Sequence, residues 1–352
     1  MPRSSRLLAP WVGQPGAGPA IYHCVSRVVN REKVLKEVEK EEFVRLVRLY
    51  ERFCGVHILT YWVMSNHFHL LVEVPPRPAG GLSDRELCQR LALIKGEAEV
   101  AEVRELLQRY RKGGNEAGAV ELRERFLYRM WDLSQFMKSL KQCFTTWFNR
   151  RHNWRGTLWE ERFKNVLVED GYAARVMAAY IDLNPIRAGM VDTPERYRWC
   201  GYAAAVARRP EARAGIERLM EQYEQLRGGK KIERSWAWVA KQYRVILFTD
   251  GEERYREEPV TGSVEVARRG IRRQDVERVL KNGGKLSPGQ MLRCRVRALS
   301  DGAVIGTRKF LEEFFNAKRE FFGPRRKSGA RPIYGCEIEL CSARALRKDA
   351  LG

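Results

Sequence analysis

No apolar run in this chain approaches the ~18 residues that a membrane-crossing helix requires. Leu7–Val12 comes nearest to a secretory leader core, but it is short and broken by Pro10. A soluble, cytoplasmic protein is therefore expected. Cysteine is present but not arranged for chemistry: the eight cysteines are scattered, with no C-x-x-C pair and no zinc-finger spacing, so reduced and mostly buried thiols are expected. Acidic residues are the scarce charge, 44 Asp plus Glu against 65 Lys plus Arg, which leaves a formal charge of +21 over 352 residues. A small-metabolite enzyme has no need of such a surplus, and a polyanionic partner such as nucleic acid does. Disorder is excluded by 44% hydrophobic and 10% aromatic residues, enough to bury a core, and the length suits about two domains.

Residues 1–20 carry Arg3, Arg6 and several Pro and Gly without an apolar period, and read as a mobile basic arm. Ile21–Val29 is rich in β-branched residues and predicts a strand. From Lys36 to Phe53 apolar residues recur at helical spacing, and Gly55 ends the helix. Val56–Met64 and His67–Val74 then predict two strands joined at Ser65-Asn66, and Pro75-Pro76 closes the hairpin. In the second of these, Phe68, Leu70, Val72 and Val74 fill one face, while His67, His69, Leu71 and Glu73 fill the other.

Residues 80–128 are charged and helix-prone and read as an insertion or lid. Asp132 caps a helix whose apolar stripe includes Phe136, Leu140 and Phe144. Glu161–Glu169 predicts a fourth strand with Arg162 and Lys164 on one face. A helix follows from Tyr172 to Asn184, where Pro185 interrupts the ladder. The order strand, helix, strand, strand, helix, strand predicts an α+β fold of the ferredoxin-like, split-βαβ kind: an antiparallel sheet with helices on one face and the other face free to bind.

The domain reading is thus a flexible arm at 1–20, an α+β domain at 21–203 containing the 80–128 insertion, and a mainly helical, basic region at 204–352. Within that last region Arg227–Lys231 reads as a linker. Ser287–Leu299, Ser300–Gly306 and Thr307–Phe322 read as helix, turn and capped helix, a candidate helix-turn-helix module. A helical bundle with a solvated basic tail explains the same pattern at least as well.

Residues two apart on a strand project the same way, so His67 and His69 can reach one cation from a rigid support. Such a pair arises often by chance, and its weight comes from a second feature. Tyr180 and Asn184 stand four residues apart on one helical face. Tyr180 offers a nucleophile and Asn184 an oxygen ligand. With His67, His69 and Asn184 as donors, all uncharged, a divalent ion keeps its full charge for polarising a phosphate, and Mg²⁺ or Mn²⁺ suits that better than closed structural zinc. The plain alternative for Tyr180 is an aromatic packed in the core. His23 and His57 read as satisfied strand histidines rather than ligands.

Together, the stretch Tyr61-Trp62-Val63-Met64-Ser65-Asn66-His67-Phe68-His69-Leu70-Leu71-Val72 and the stretch Tyr180-Ile181-Asp182-Leu183-Asn184-Pro185-Ile186-Arg187-Ala188-Gly189 resemble the single-tyrosine HUH transposases. The resemblance is greatest to the REP-associated tyrosine transposases of bacteria, which are IS200-like. Tyr22-His23-Cys24-Val25-Ser26-Arg27 and Gly156-Thr157-Leu158-Trp159-Glu160-Glu161-Arg162-Phe163-Lys164 add to it, over about residues 20–203. The long 80–128 insertion and Val28, where a Gly commonly follows Ser-Arg, depart from the pattern.

The resemblance implies a single-stranded DNA nickase and strand transferase in which His67, His69 and Asn184 hold Mg²⁺ or Mn²⁺ and Tyr180 forms a 5′-phosphotyrosine link. It implies hairpin DNA as the partner and a homodimer as the assembly, with no membrane and no nucleotide cofactor. Arg27, Arg162, Lys164 and Arg187 are the candidate DNA contacts, for each of which an ordinary solvated charge is the alternative. A catalytically silent, domesticated relative that binds structured DNA is the rival reading. RNA binding ranks third, because the aromatic signature of an RNA-recognition motif is missing from the strands.

Overall fold

The computed structural model describes residues 8–12, 17–191, 194–221, 235–248, 254–257, 264–268, 304–333 and 339–343. Its first elements are β1 (Ala20–Arg27), α1 (Glu37–Cys54), β2 (His57–Val63) and β3 (His67–Val74). The insertion follows as α2 (Asp84–Leu91), α3 (Glu97–Lys112) and α4 (Glu116–Leu127), and then come α5 (Leu133–His152), β4 (Lys164–Val168), α6 (Tyr172–Asp182) and α7 (Asn184–Arg187). Next are α8 (Gly201–Val206), α9 (Pro210–Met220), α10 (Trp236–Phe248) and the hairpin β5 (Arg254–Glu257) and β6 (Val264–Arg268). The last are β7 (Val304–Gly306), α11 (Arg308–Ala317), β8 (Arg331–Pro332) and β9 (Cys341–Ala343).

The main sheet runs β2-β3-β1-β4-β7-β9-β8. Its first four strands are antiparallel neighbours in the order of the split-βαβ fold, so the fold class expected from the element order holds. Local chemistry sets the boundaries. Gly55 ends α1 in the left-handed region at φ 66°, and the Asp132 carboxylate accepts from the Gln135 amide at 2.7 Å to open α5.

Side-chain alternation divides the apolar residues into two cores. Tyr22, Cys24, Phe68, Leu70 and Val72 face α1 and α5, where Phe43, Leu46, Phe136 and Phe144 meet them. Ile21, Leu71, Val166 and Val168 face the opposite way and are covered by α6 and by residues of α8, α9 and α10. The face expected to be free is therefore roofed over these residues, while Lys164, further along it, is exposed. An alternating strand cannot show this, because Leu71 and a solvent-facing residue occupy the same parity.

Four other expectations change. The 80–128 segment is not a detached lid: Leu87, Leu91, Leu107, Leu122 and Leu127 are buried in the α1/α5 core. Part of the arm is also packed, with the Ala9 amide donating to the Tyr22 hydroxyl at 2.9 Å and the Trp11 ring 5.6 Å from Phe310. The helix carrying Tyr180 ends at Asp182 and restarts at Asn184, where Pro185 removes a backbone donor.

Finally, Val304–Gly306, expected as a turn, is a strand parallel to β4, so the C-terminal region adds strands to the sheet as well as helices. Thr307 does cap α11, its hydroxyl accepting from the Phe310 amide. Ser287–Leu299 and the 227–231 linker lie outside the described residues. Among the described residues, no helix is long and apolar enough to cross a membrane.

Candidate active site

The register of β1 on β3 places Val25 opposite His69 and Arg27 opposite His67. Opposed residues share a face, so His23, two positions before Val25, lies diagonal to His69 on the same side. The Nε2 of His23 is 2.8 Å from the Nδ1 of His69, and the two rings stack with centroids 5.1 Å apart. His67 uses its Nδ1 on the Asn66 side-chain oxygen at 2.7 Å. Each imidazole of the pair thus spends Nδ1 on a neighbour and keeps Nε2 for something else. Their centroids are 5.3 Å apart at 67°.

Both imidazoles are held neutral. Burial pushes His67 down to about 4, and the Arg27 charge adds to the shift. His69, more deeply buried, goes well below the ordinary histidine range for the same reason, with His23, His67 and Arg27 adding to it. A neutral imidazole has a lone pair to give a cation. Trp62, opposite His69 on β2, walls the pair with its ring 5.3 Å from His67 and 5.4 Å from His69.

Tyr180 descends from α6 onto this group. Its ring centroid is 6.1 Å from that of His23 and 6.3 Å from that of His69. Arg187 returns over it from α7: the guanidinium carbon lies 5.0 Å from the ring centroid, and Nη1 donates to the Tyr180 carbonyl at 3.2 Å. Asn184, four residues after Tyr180, is half-buried, and its side-chain nitrogen is sealed from solvent with no hydrogen-bond partner among the described residues. A buried carboxamide left so is costly unless a further group completes it.

Among the described residues, no cluster of three or more His, Cys, Asp or Glu is arranged for a metal. By donor chemistry, two imidazole Nε2 atoms and an amide oxygen are groups that a divalent cation accepts.

Of the expected DNA contacts, Arg27 is half-buried beside His67, Arg187 covers Tyr180, and Lys164 is exposed in the row of Val25 and His69. Arg162 does not join them. β4 begins only at Lys164, and Arg162 lines a groove of about 430 Å³ with Lys138, Lys141 and Trp159 beside α5. Nothing in the sequence pattern marks His23 or Trp62 as a site residue. Strand parity puts His23 with Arg27, but only the register shows that this parity is also that of His69.

An antiparallel split-βαβ sheet with paired neutral histidines on a central strand, and a tyrosine lowered onto them by a helix, defines a protein of the α+β class with a phenol beside two neutral imidazoles. Residues 19–80, from β1 through β3 with both histidines, match the family model described as "Transposase IS200 like". A solved structure described as "Structure of the REP associates tyrosine transposase bound to a REP hairpin" is 14% identical, with a TM-score of 0.35, and the alignment covers 56% of this chain and 86% of that one. No curated protein sequence matches the chain.

Proposed function

We propose that this chain is a metal-dependent nickase and strand transferase for single-stranded DNA, with Tyr180 as nucleophile. The observation that carries the reading is the meeting, within one chain, of the Tyr180 ring and a histidine pair whose Nε2 atoms are both uncommitted. The family match over 19–80 supports it.

His67, His69 and Asn184 would hold the ion. When bound, Mg²⁺ or Mn²⁺ polarises the scissile phosphate, and its uncharged ligands leave it the full charge to do so. The Tyr180 oxygen attacks phosphorus and loses its proton. The bond to the 3′ oxygen breaks, the departing strand takes up a proton as a free 3′-OH, and a 5′-phosphotyrosine remains. A phenol, with a pKa of about 10, leaves more readily than an alkoxide, so another strand's 3′-OH can reverse the step without ATP. Arg187, stacked on the phenol ring, favours negative charge as it develops there. Arg27 and Lys164, on the same sheet face, provide phosphate contacts that set the strand's position.

Hairpin-flanked single strands are the substrate this reading takes from the sequence resemblance, and a homodimer is the assembly. Each protomer carries Tyr180 and the histidine pair together, so chemistry does not require exchange of the tyrosine between subunits. Incubating the full chain with a labelled hairpin-flanked strand and Mn²⁺ should give a denaturant-resistant adduct that Tyr180→Phe abolishes. An adduct that persists in Tyr180→Phe assigns the nucleophile elsewhere. Hairpin binding with no adduct at all leaves a DNA-binding relative without cleavage.

A further inference from the structure

Asp182 follows Tyr180 by two residues, about 200° further round the helix axis, so the two side chains leave α6 on different sides. The carboxylate is fully buried. Its Oδ1 accepts from the Thr60 hydroxyl on β2 at 2.7 Å, from the Cys200 thiol at 3.1 Å and from the Tyr202 amide at 3.3 Å. Its Oδ2 accepts from the Tyr243 hydroxyl on α10 at 2.6 Å. Burial raises the carboxyl to about 6 even though the four donors oppose the shift. A Cβ on Gly201 would collide with Thr60 Oγ1, so the chain approaches β2 this closely only with glycine there.

Much of the rest of α6 packs through apolar contact, Val176, Met177 and Ile181 among it. Ala173, Ala174, Ala178 and Ala179 are all buried, and such small, smooth side chains allow a helix to slide or turn with modest loss of contact. Directional hydrogen bonds to one buried carboxylate resist both motions, because any shift strands a desolvated charge. Tyr243 supplies one of those bonds from residues 236–248, far in sequence from the segment that matches the transposase family.

We infer that Asp182 is a positioning residue that locks the rotation and register of α6, and with it Tyr180, and that α10 completes the lock through Tyr243. The inference rests on the proposed role of Tyr180 for its catalytic consequence and on geometry alone for its structural one. The C-terminal region therefore acts on the nucleophile through Asp182 and is not simply an appended module.

The test uses the full chain with 3-fluorotyrosine at position 180, in wild-type, Tyr243→Phe and Thr60→Val backgrounds. Three quantities are measured: the ¹⁹F resonance, hairpin affinity, and the rate of adduct formation at saturating strand with Mn²⁺. Each variant should shift or broaden the resonance and slow the saturated rate by about tenfold, as small misplacements of reacting groups do, while hairpin affinity stays within about twofold. A purely structural role would instead lower thermal stability and leave the resonance and the saturated rate of the folded fraction unmoved. That result in both variants overturns the inference. Should Tyr243→Phe fail to fold, Thr60→Val probes the same carboxylate from the other side. If the wild-type chain forms no adduct, the functional reading fails, and the resonance still decides the positioning claim.

Discussion

His23 Nε2 lies 2.8 Å from His69 Nδ1 with both rings buried, so the proton shared between them decides which nitrogen of His69 can bind a cation. With Nδ1–H of His69 donating to His23, the lone pair of His69 is confined to Nε2, on the side of the ring away from His23. Partners of this kind orient metal-binding histidines.

His23→Ala should consequently lower Mn²⁺ affinity by about 10–100-fold, the range seen when such orienting partners are lost. Titration of Mn²⁺ followed by electron paramagnetic resonance reads this without any cleavage assay. Hairpin affinity measured without metal should change little. An unaltered Mn²⁺ affinity would make His23 a packing residue only.

Lys164 and Arg162 should separate in their salt dependence. On a short unstructured strand spanning only the cut site, Lys164→Ala should flatten the slope of log affinity against log salt by about 0.7, the loss of one phosphate contact to a single strand. Arg162→Ala should leave that slope unchanged, since Arg162 lies in the groove beside α5. Equal effects would mean that the strand crosses both surfaces.

The insertion should behave as part of the main core. Leu107 on α3 is 1% exposed within the α1/α5 cluster, so Leu107→Ala should cost about 2–5 kcal/mol of global stability. Denaturant unfolding followed by tryptophan fluorescence should remain one transition with a lower midpoint. A second, earlier transition confined to residues 80–128 would show that the insertion folds as a separate unit.

Much of this architecture was legible in the residues. β3 matches its expected limits at both ends, because histidine and leucine alternate cleanly with Phe68, Leu70 and Val72 between the Ser65-Asn66 turn and Pro75. α1 falls within a residue of expectation at both ends and α5 starts where expected, because Gly55 and Asp132 are unambiguous punctuation. Arg162 was misplaced for the opposite reason: its alternation with Lys164 is real, but pairing with β1 begins only at Lys164. The extra strands β7 to β9 are not legible in the sequence because strands of two or three residues carry no readable period and gain their order from β4 and from each other.

The sequence by itself determined the local elements, the positive charge, and the presence of two imidazoles, a phenol and a carboxamide at spacings that give each pair a common face. Helical and strand periods are properties of neighbouring residues, and they need no partner to be read. Only the tertiary structure decided that His23 sits against His69, that Arg187 caps Tyr180, that helices pack on both sheet faces, and that Asp182 gathers donors 122, 18 and 61 residues away. Register between strands and the docking of one helix on another depend on long-range burial, where residues of identical local pattern become wall, ligand or anchor according to what packs against them.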